Sequence, residues 1–252
     1  MKFGAQNIAT SEANLHLLQE CDLLGVNDLN LVSYPAQVTE PEQPAKSEKN
    51  SKVHPQLIPA LTALTQKAAD AGFDMRIASG FRSFERQLAI WNNKVYGLRP
   101  VLDQSEQPVD LNLLSDDEKV FAILRWSALP GASRHHWGTD IDVYDASRMP
   151  VEYQLQLTLA ETQGDGCCAE FHSWLTQELK GSQDFFRPYV AGVGSISPEP
   201  WHLSYAPLAH VFATQFTEDL LRKKIEETDI ALKDSILKNL SDIFNQYIKP
   251  YP

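Results

Sequence analysis

Ser133-Arg134-His135-His136-Trp137-Gly138-Thr139-Asp140-Ile141-Asp142-Val143-Tyr144 is the stretch from which the fold is read. Two histidines precede a glycine turn, and the residues after Gly138 alternate polar and apolar side chains. At the strand period of two, Asp140, Asp142 and Tyr144 share one face, and Thr139, Ile141 and Val143 take the other. A strand over 139–144 therefore offers carboxylates on one side and a packing surface on the other.

Working outward, Glu199-Pro200-Trp201-His202 sets an acid three residues before a histidine, ahead of a β-like run at 201–205. Toward the N-terminus, a short strand over 75–78 leads into Ser79-Gly80-Phe81-Arg82-Ser83. Ser83 reads as the cap of a helix over 85–95. Leu57, Leu61, Leu64 and Ala68 repeat at one-face helical spacing, with Pro59 in the first turn and Gly72 as the stop. Asp116 and Asp117 open another helix with Val120, Ile123, Leu124 and Trp126 as its apolar positions. Residues 209–248 read as two helices with a break near Thr228-Asp229. Trp91, Trp126 and Trp174 are assigned to the core, while cleft wall and core are equal readings for Trp137 and Trp201. Helices and strands mix without a repeating βαβ rhythm, so the fold class is α+β.

The 252 residues suffice for one good-sized core, or for one domain with terminal extensions. We divide them into an N-terminal helical extension (1–33, with a helix over 10–24), a linker or exposed arm (34–52), the main domain (53–207) and C-terminal helices packed on it (208–252). The arm is rich in Pro, Glu, Lys and Ser and nearly devoid of large apolar groups. With 22 basic against 33 acidic residues the net charge is -11, and no basic stripe offers a footprint for nucleic acid. No apolar run approaches the roughly 18 residues a membrane helix needs. The N-terminus has no continuous apolar stretch of the secretory kind. The three cysteines, Cys21 and the adjacent Cys167 and Cys168, suit a reducing compartment and read as free thiols. Together these features place the protein in the cytoplasm.

The chemistry gathers around two histidines and an acid. Two histidines with one carboxylate form a common catalytic zinc set that leaves a fourth position for water. Zinc brings that water's pKa to about 7, and a carboxylate that is not a ligand, such as Glu199, can then carry its proton. Spacing alone leaves a metal site and an ordinary polar loop equally open. His16, His54, His172 and His210 read as surface or helix-end residues. Ser195 and Ser197 lack a nucleophile-elbow pattern, which disfavours a serine hydrolase.

Taken together, Ser-x-His-x6-Asp, the following Glu-Pro-Trp-His, and the preceding Ser-Gly-Phe-Arg-Ser with Gln87 downstream resemble the VanY-type D-alanyl-D-alanine carboxypeptidases. These belong to the wider lysostaphin, D-Ala-D-Ala peptidase and sonic hedgehog metal-binding fold. The motifs occur in the family's order over residues 53–207. The resemblance implies a small central antiparallel sheet carrying a zinc site, flanked by helices. It makes His135, Asp142 and His202 the metal ligands and Glu199 the general base. Arg82 corresponds to the arginine that holds substrate and helps stabilise the oxyanion, Ser133 to a serine beside the substrate's terminal carboxylate, and Gln87 to a glutamine of the same pocket. Asp140 departs from the pattern, since the family usually carries a small residue there. The two acids share a strand face and either could reach the metal. The family spacing favours Asp142, which leaves Asp140 to orient a ligand histidine. For His136, a contact near the site and a partly exposed, non-functional histidine both remain open.

The function implied is zinc-dependent release of a C-terminal D-alanine from peptidoglycan-type peptides, with a small peptide as the partner. D,D-dipeptidase and L,D-carboxypeptidase activities would use the same site. A non-catalytic zinc module that binds a peptide or protein partner is the alternative from another class. With no leader, recycling of wall fragments in the cytoplasm fits better than trimming the wall.

Overall fold

Residues 18–34 and 51–251 are described in the computed structural model. His16, most of the helix expected over 10–24 and most of the 34–52 arm lie outside them.

The chain begins with a short helix, α1 (Glu20–Leu23), and a two-stranded antiparallel ribbon of β1 (Val32–Tyr34) and β2 (Ser51–Val53), with Val32 opposite Val53. Then follow α2 (Ile58–Asp70), β3 (Met75–Ser79), α3 (Phe84–Val95), α4 (Asp116–Leu124) and β4 (Asp140–Asp145). Next come α5 (Leu159–Thr162), α6 (Ala169–Glu178), β5 (Phe185–Phe186) and β6 (His202–Tyr205). The helices α7 (Ala206–Gln215), α8 (Glu218–Glu226), α9 (Lys233–Lys238) and α10 (Leu240–Ile243) complete the order, ending in a π-helical turn at Phe244–Ile248.

The fold is α+β. Its centre is a four-stranded antiparallel sheet in the order β3-β4-β6-β5. Its two faces differ as the alternation in β4 requires. Ile141 and Val143 join Met75, Leu203 and Phe185 in one apolar layer, closed by Leu57, Leu61 and Leu64 beside α2 and by Phe171 and Leu175 of α6. Each fully buried Leu of this kind contributes about 1.5–3 kcal/mol. Asp140, Asp142, His202 and Ser204 lie buried on the other face. A second core joins Leu23 and Leu24 to Trp91, Val120, Ile123 and the C-terminal residues Leu221, Ile225, Ile236, Leu240 and Ile243. Both chain flanks thus pack into one helical layer with α3 and α4. Among the described residues no helix is long and apolar enough to cross a membrane.

Local chemistry explains the helix starts. Ser83 Oγ accepts from the Arg86 amide at 3.2 Å, and Ser115 forms a capping box with Glu118 ahead of α4. The C-terminal segment departs from the two-helix expectation. Besides the break near Thr228, the chain turns extended at Phe216 and restarts at Thr217, whose Oγ1 caps α8. Trp126 also departs from its core assignment. It lies beyond the end of α4 and turns its indole Nε1 to the Asp103 carbonyl, at 2.9 Å. His172 is a third correction: it is buried, not a surface or helix-end residue. It falls on the same face of α6 as Phe171 and Leu175, so helical period prevails over residue type. His54 caps a 3₁₀ turn and His210 is exposed, as expected of helix-end and surface residues.

Candidate active site

The cross-strand register of β4 and β6 sets Asp142 directly opposite His202. Directly paired residues of antiparallel strands project to the same side, so one hydrogen-bonding pattern delivers a carboxylate and an imidazole to one point. His135 arrives from a 3₁₀ turn, Arg134–Trp137, that ends at Gly138 with φ +68°. This positive φ calls for glycine, while the Leu31 side chain that a Cβ would meet at 2.6 Å is free-ended and could shift. The Ser-Gly-Phe-Arg loop closes the third side. Arg82 N donates to the His135 carbonyl at 3.1 Å, and Phe81 N donates to the Lys52 carbonyl at 2.8 Å.

Hydrogen-bond partners fix the imidazole orientations. His135 Nδ1 meets the Gly80 carbonyl at 3.0 Å and must donate there, leaving the Nε2 lone pair 3.3 Å from Asp142 Oδ2. His202 Nε2 lies 2.9 Å from Asp140 Oδ1 and donates to it, which turns Nδ1 toward Asp142 Oδ1 and Glu199 Oε2, each at 3.3 Å. One ligand-capable atom from each of His135, Asp142 and His202 falls within 4.8 Å of the others, and all three residues are buried. Asp142 Oδ1 and His202 Nδ1 have no hydrogen-bond partner in the protein. With His202 neutral, two imidazole lone pairs and a carboxylate converge on one point, an arrangement that fits a cation displacing the His202 proton, and the N, N, O donor set suits zinc.

The electrostatics agree. Burial would raise the pKa of Asp142, but His135 and His202 outweigh it and hold the carboxyl below its usual range. Burial would lower the pKa of His202, yet Asp140, Asp142 and Glu199 raise it well above the ordinary value. The pocket thus attracts positive charge.

Asp140 occupies a different niche. It accepts from Arg134 Nε at 2.9 Å, from Thr139 Oγ1 at 2.7 Å and from His202. Arg134 in turn donates to Ser204 Oγ at 2.7 Å and to the Tyr251 carbonyl at 3.4 Å. Asp140 is thereby committed to orienting His202, as second-layer carboxylates behind metal-binding histidines do. His136 is likewise enclosed. Its Nδ1 donates to the Arg82 carbonyl at 2.6 Å and its Nε2 accepts from Gly131 N at 3.1 Å, so it ties the arginine loop to the histidine turn. Burial, the largest influence, lowers its pKa to about 3.

A cavity of about 340 Å³ opens onto the cluster, within the usual size range of small-ligand pockets. Arg82, Ser133 and Glu199 line it beside His135, Asp142 and His202. Arg82 Nη1 donates to Gln87 Oε1 at 3.0 Å and Nη2 to Ser79 Oγ at 3.3 Å. Burial lowers the pKa of this guanidinium while Asp142 and Glu199 support its charge. Gln87 is fully enclosed and gives its amide nitrogen to the Ala128 carbonyl at 2.7 Å. It braces Arg82 from behind and does not line the cavity.

Tyr189, Lys94 and Arg99 in the wall escaped the sequence reading, and Trp126, assigned there to the core, lines the cavity as well. The Tyr189 ring stands edge-on to His202, 4.8 Å between centroids, and its carbonyl accepts from Glu199 N. Burial raises its pKa well above 10, so it stays a neutral phenol. Lys94 follows Gln87 by two helical turns on α3, a spacing visible in the sequence. Trp201 lines the cavity, whereas Trp137 packs in the helical core and donates to the Leu23 carbonyl at 3.1 Å.

The family model for VanY, D-alanyl-D-alanine carboxypeptidase, matches residues 50–208. An uncharacterized protein of Haemophilus influenzae is 34% identical over 122 residues, covering 48% of this chain and 92% of that protein. Another uncharacterized Haemophilus influenzae protein is 48% identical over 86 residues, covering 34% of this chain and 59% of its own length. Among solved structures, the LdcB LD-carboxypeptidase superposes with a TM-score of 0.50 at 20% identity, covering 84% of this chain and 79% of that one. This last likeness concerns the fold alone.

Proposed function

We infer that this chain, which belongs to the VanY D-alanyl-D-alanine carboxypeptidase family over residues 50–208, is a zinc-dependent carboxypeptidase that releases a C-terminal D-alanine from peptidoglycan-type peptides. The observation that carries this reading is a three-residue ligand cluster with two partnerless buried atoms, beside an acid outside the set. His135 through Nε2, His202 through Nδ1 and Asp142 through its carboxylate would hold the ion.

Zinc supplies a Lewis acid to such a site, making water acidic near pH 7 and polarising a carbonyl. Glu199 takes the proton from the attacking water as the new C–O bond forms. It returns that proton to the amide nitrogen as the C–N bond breaks, so the carboxylate is regenerated in each turnover. Arg82, held by Gln87 and Ser79, directs a fixed charge into the cavity where the scissile oxygen becomes negative. The Ser133 hydroxyl donates to the substrate's terminal carboxylate. Tyr189 and Trp201 restrict water around these groups and strengthen the local electrostatics. A module that only binds zinc and peptide has no use for a base at the position of Glu199.

The test is D-alanine release from a pentapeptide ending in D-Ala-D-Ala and from the matching tetrapeptide, with zinc-loaded protein. Glu199→Gln should lower kcat by about 10²–10⁴-fold while zinc stays stoichiometric. Release from one peptide alone assigns the bond preferred. Absence of release by folded, zinc-loaded wild type sinks the carboxypeptidase reading.

A further inference from the structure

The cavity wall carries two cations that the reaction leaves unused. Lys94 and Arg99 line it together with Arg82, Asp142 and Glu199. Several lysines elsewhere pair with acids, Lys52 with Asp28, Lys67 with Glu178, Lys119 with Asp116 and Lys238 with Asp117, whereas Lys180 and Lys233 bond neutral oxygens. Neither Lys94 nor Arg99 forms such a pair among the described residues. Lys94 is half-buried in the last turn of α3 and feels the charges of Arg99, Arg82 and Glu199. Arg99 is exposed at the rim.

Keeping two like charges together over a partly desolvated pocket disfavours both, and Lys94 registers this as a pKa lowered to about 8 by burial and then by Arg99. An anion delivered by a ligand relieves the repulsion. The overall charge of -11 gives no long-range attraction for acidic peptides, so local cations must provide it. The released D-alanine contributes a single carboxylate, which Ser133 already serves, and Arg82 is taken by the scissile oxygen. Nearby Ile90, Leu102, Trp126 and Ile196 supply apolar surface that lowers the local dielectric.

We propose that Lys94 and Arg99 form a subsite for a second carboxylate of the substrate, so that the enzyme selects peptides with an acidic residue next to the scissile bond. This deepens, and rests on, the carboxypeptidase reading. Lys94 carries the larger share, because Arg99 is exposed and its attraction is screened by salt.

The experiment uses two tetrapeptides ending in D-alanine that differ only at the preceding residue, glutamate in one and glutamine in the other. Their kcat/KM values are compared for the zinc-loaded wild type, Lys94→Met and Arg99→Gln. Because the readout is the ratio between the peptides, any general loss in a variant cancels. The wild type should favour the carboxylate peptide by about tenfold or more, as a charge-assisted contact allows. The ratio should fall to about twofold in Lys94→Met and to an intermediate value in Arg99→Gln. In parallel, calorimetry measures both peptides binding to the Glu199→Gln protein. Hydrolysis with no carboxylate preference, or a preference untouched by Lys94→Met, overturns the subsite and leaves the carboxypeptidase standing. Binding that prefers the carboxylate through Lys94, without hydrolysis by wild type, supports the subsite and overturns the carboxypeptidase.

Discussion

Two buried polar regions of the molecule invite comparison. Around β4 and β6, His135, Asp142 and His202 converge with Asp142 Oδ1 and His202 Nδ1 unpartnered. Beneath α6, His172 Nδ1 and Arg187 Nε are also buried and unpartnered. The same shortage of hydrogen bonds has opposite meanings. In the first region imidazole lone pairs meet carboxylates, and the field draws in a cation. In the second the imidazole sits near a guanidinium, and burial followed by Arg187 drives its pKa to about 3. A buried orphan atom becomes a candidate ligand only when its neighbours supply negative charge.

The strongest way to break this comparison is Asp142→Asn. Loss of the ligand carboxylate should remove stoichiometric zinc and cost several kcal/mol of transition-state stabilisation, about a thousandfold in rate. The metal-chelated variant should melt lower than chelated wild type, because His135 and His202 lose the buried carboxylate that they hold ionised. Zinc retained at full stoichiometry would take Asp142 out of the ligand set.

Asp140→Asn sharpens the contrast, because this acid is fully engaged. Arg134 would lose its buried counter-charge, and the chelated protein should lose about 3–5 kcal/mol in urea unfolding. Zinc affinity should weaken by about 10–100-fold through the misdirected His202 ring. Unchanged stability would show that Arg134 does not depend on Asp140.

The smallest effect belongs to His172 and appears in the pH dependence. Its pKa is about 3 in the folded protein and about 6.5 unfolded, so the unfolded state binds the extra proton below about pH 6.5. Stability contributed by the neutral ring is complete above that pH and is lost as pH falls toward 3. From pH 7 to 5 the loss is about 2 kcal/mol. His172→Asn should flatten the chelated protein's stability between these pH values by that amount. An identical slope in the variant would mean that His172 does not stay neutral.

The cluster was legible through the order of its motifs, which resembles the VanY family's, since spacing alone left a metal site and a polar loop equally open. Period two puts Asp140 and Asp142 on one face, and only the family spacing singled out Asp142. The stripe Leu57, Leu61, Leu64 and Ala68 was legible by itself, as every position answers to a single period. What stayed hidden depends on contacts between distant segments. Nothing near Tyr189 in sequence announces that its ring meets His202, and Trp126 reaches the cavity only because α4 stops at Leu124. Gln87 was found by motif, but its job of bracing Arg82 follows from the Ala128 carbonyl, forty-one residues away. For His172 the signal was present in the spacing to Phe171 and Leu175, and the polarity of histidine masked it.

The link from the Tyr251 carbonyl through Arg134 to Asp140 and His202 bears on how the protein is made. A ribosome delivers the sheet and the segments bearing His135, Asp142 and His202 before residue 251 emerges. Until then Arg134 lacks one of its acceptors, and the Tyr189 ring lacks the Tyr251 ring that packs 4.9 Å from it. The support that residue 251 gives to Arg134, and through Asp140 to His202, is thus the last part of this chain of contacts to be synthesised.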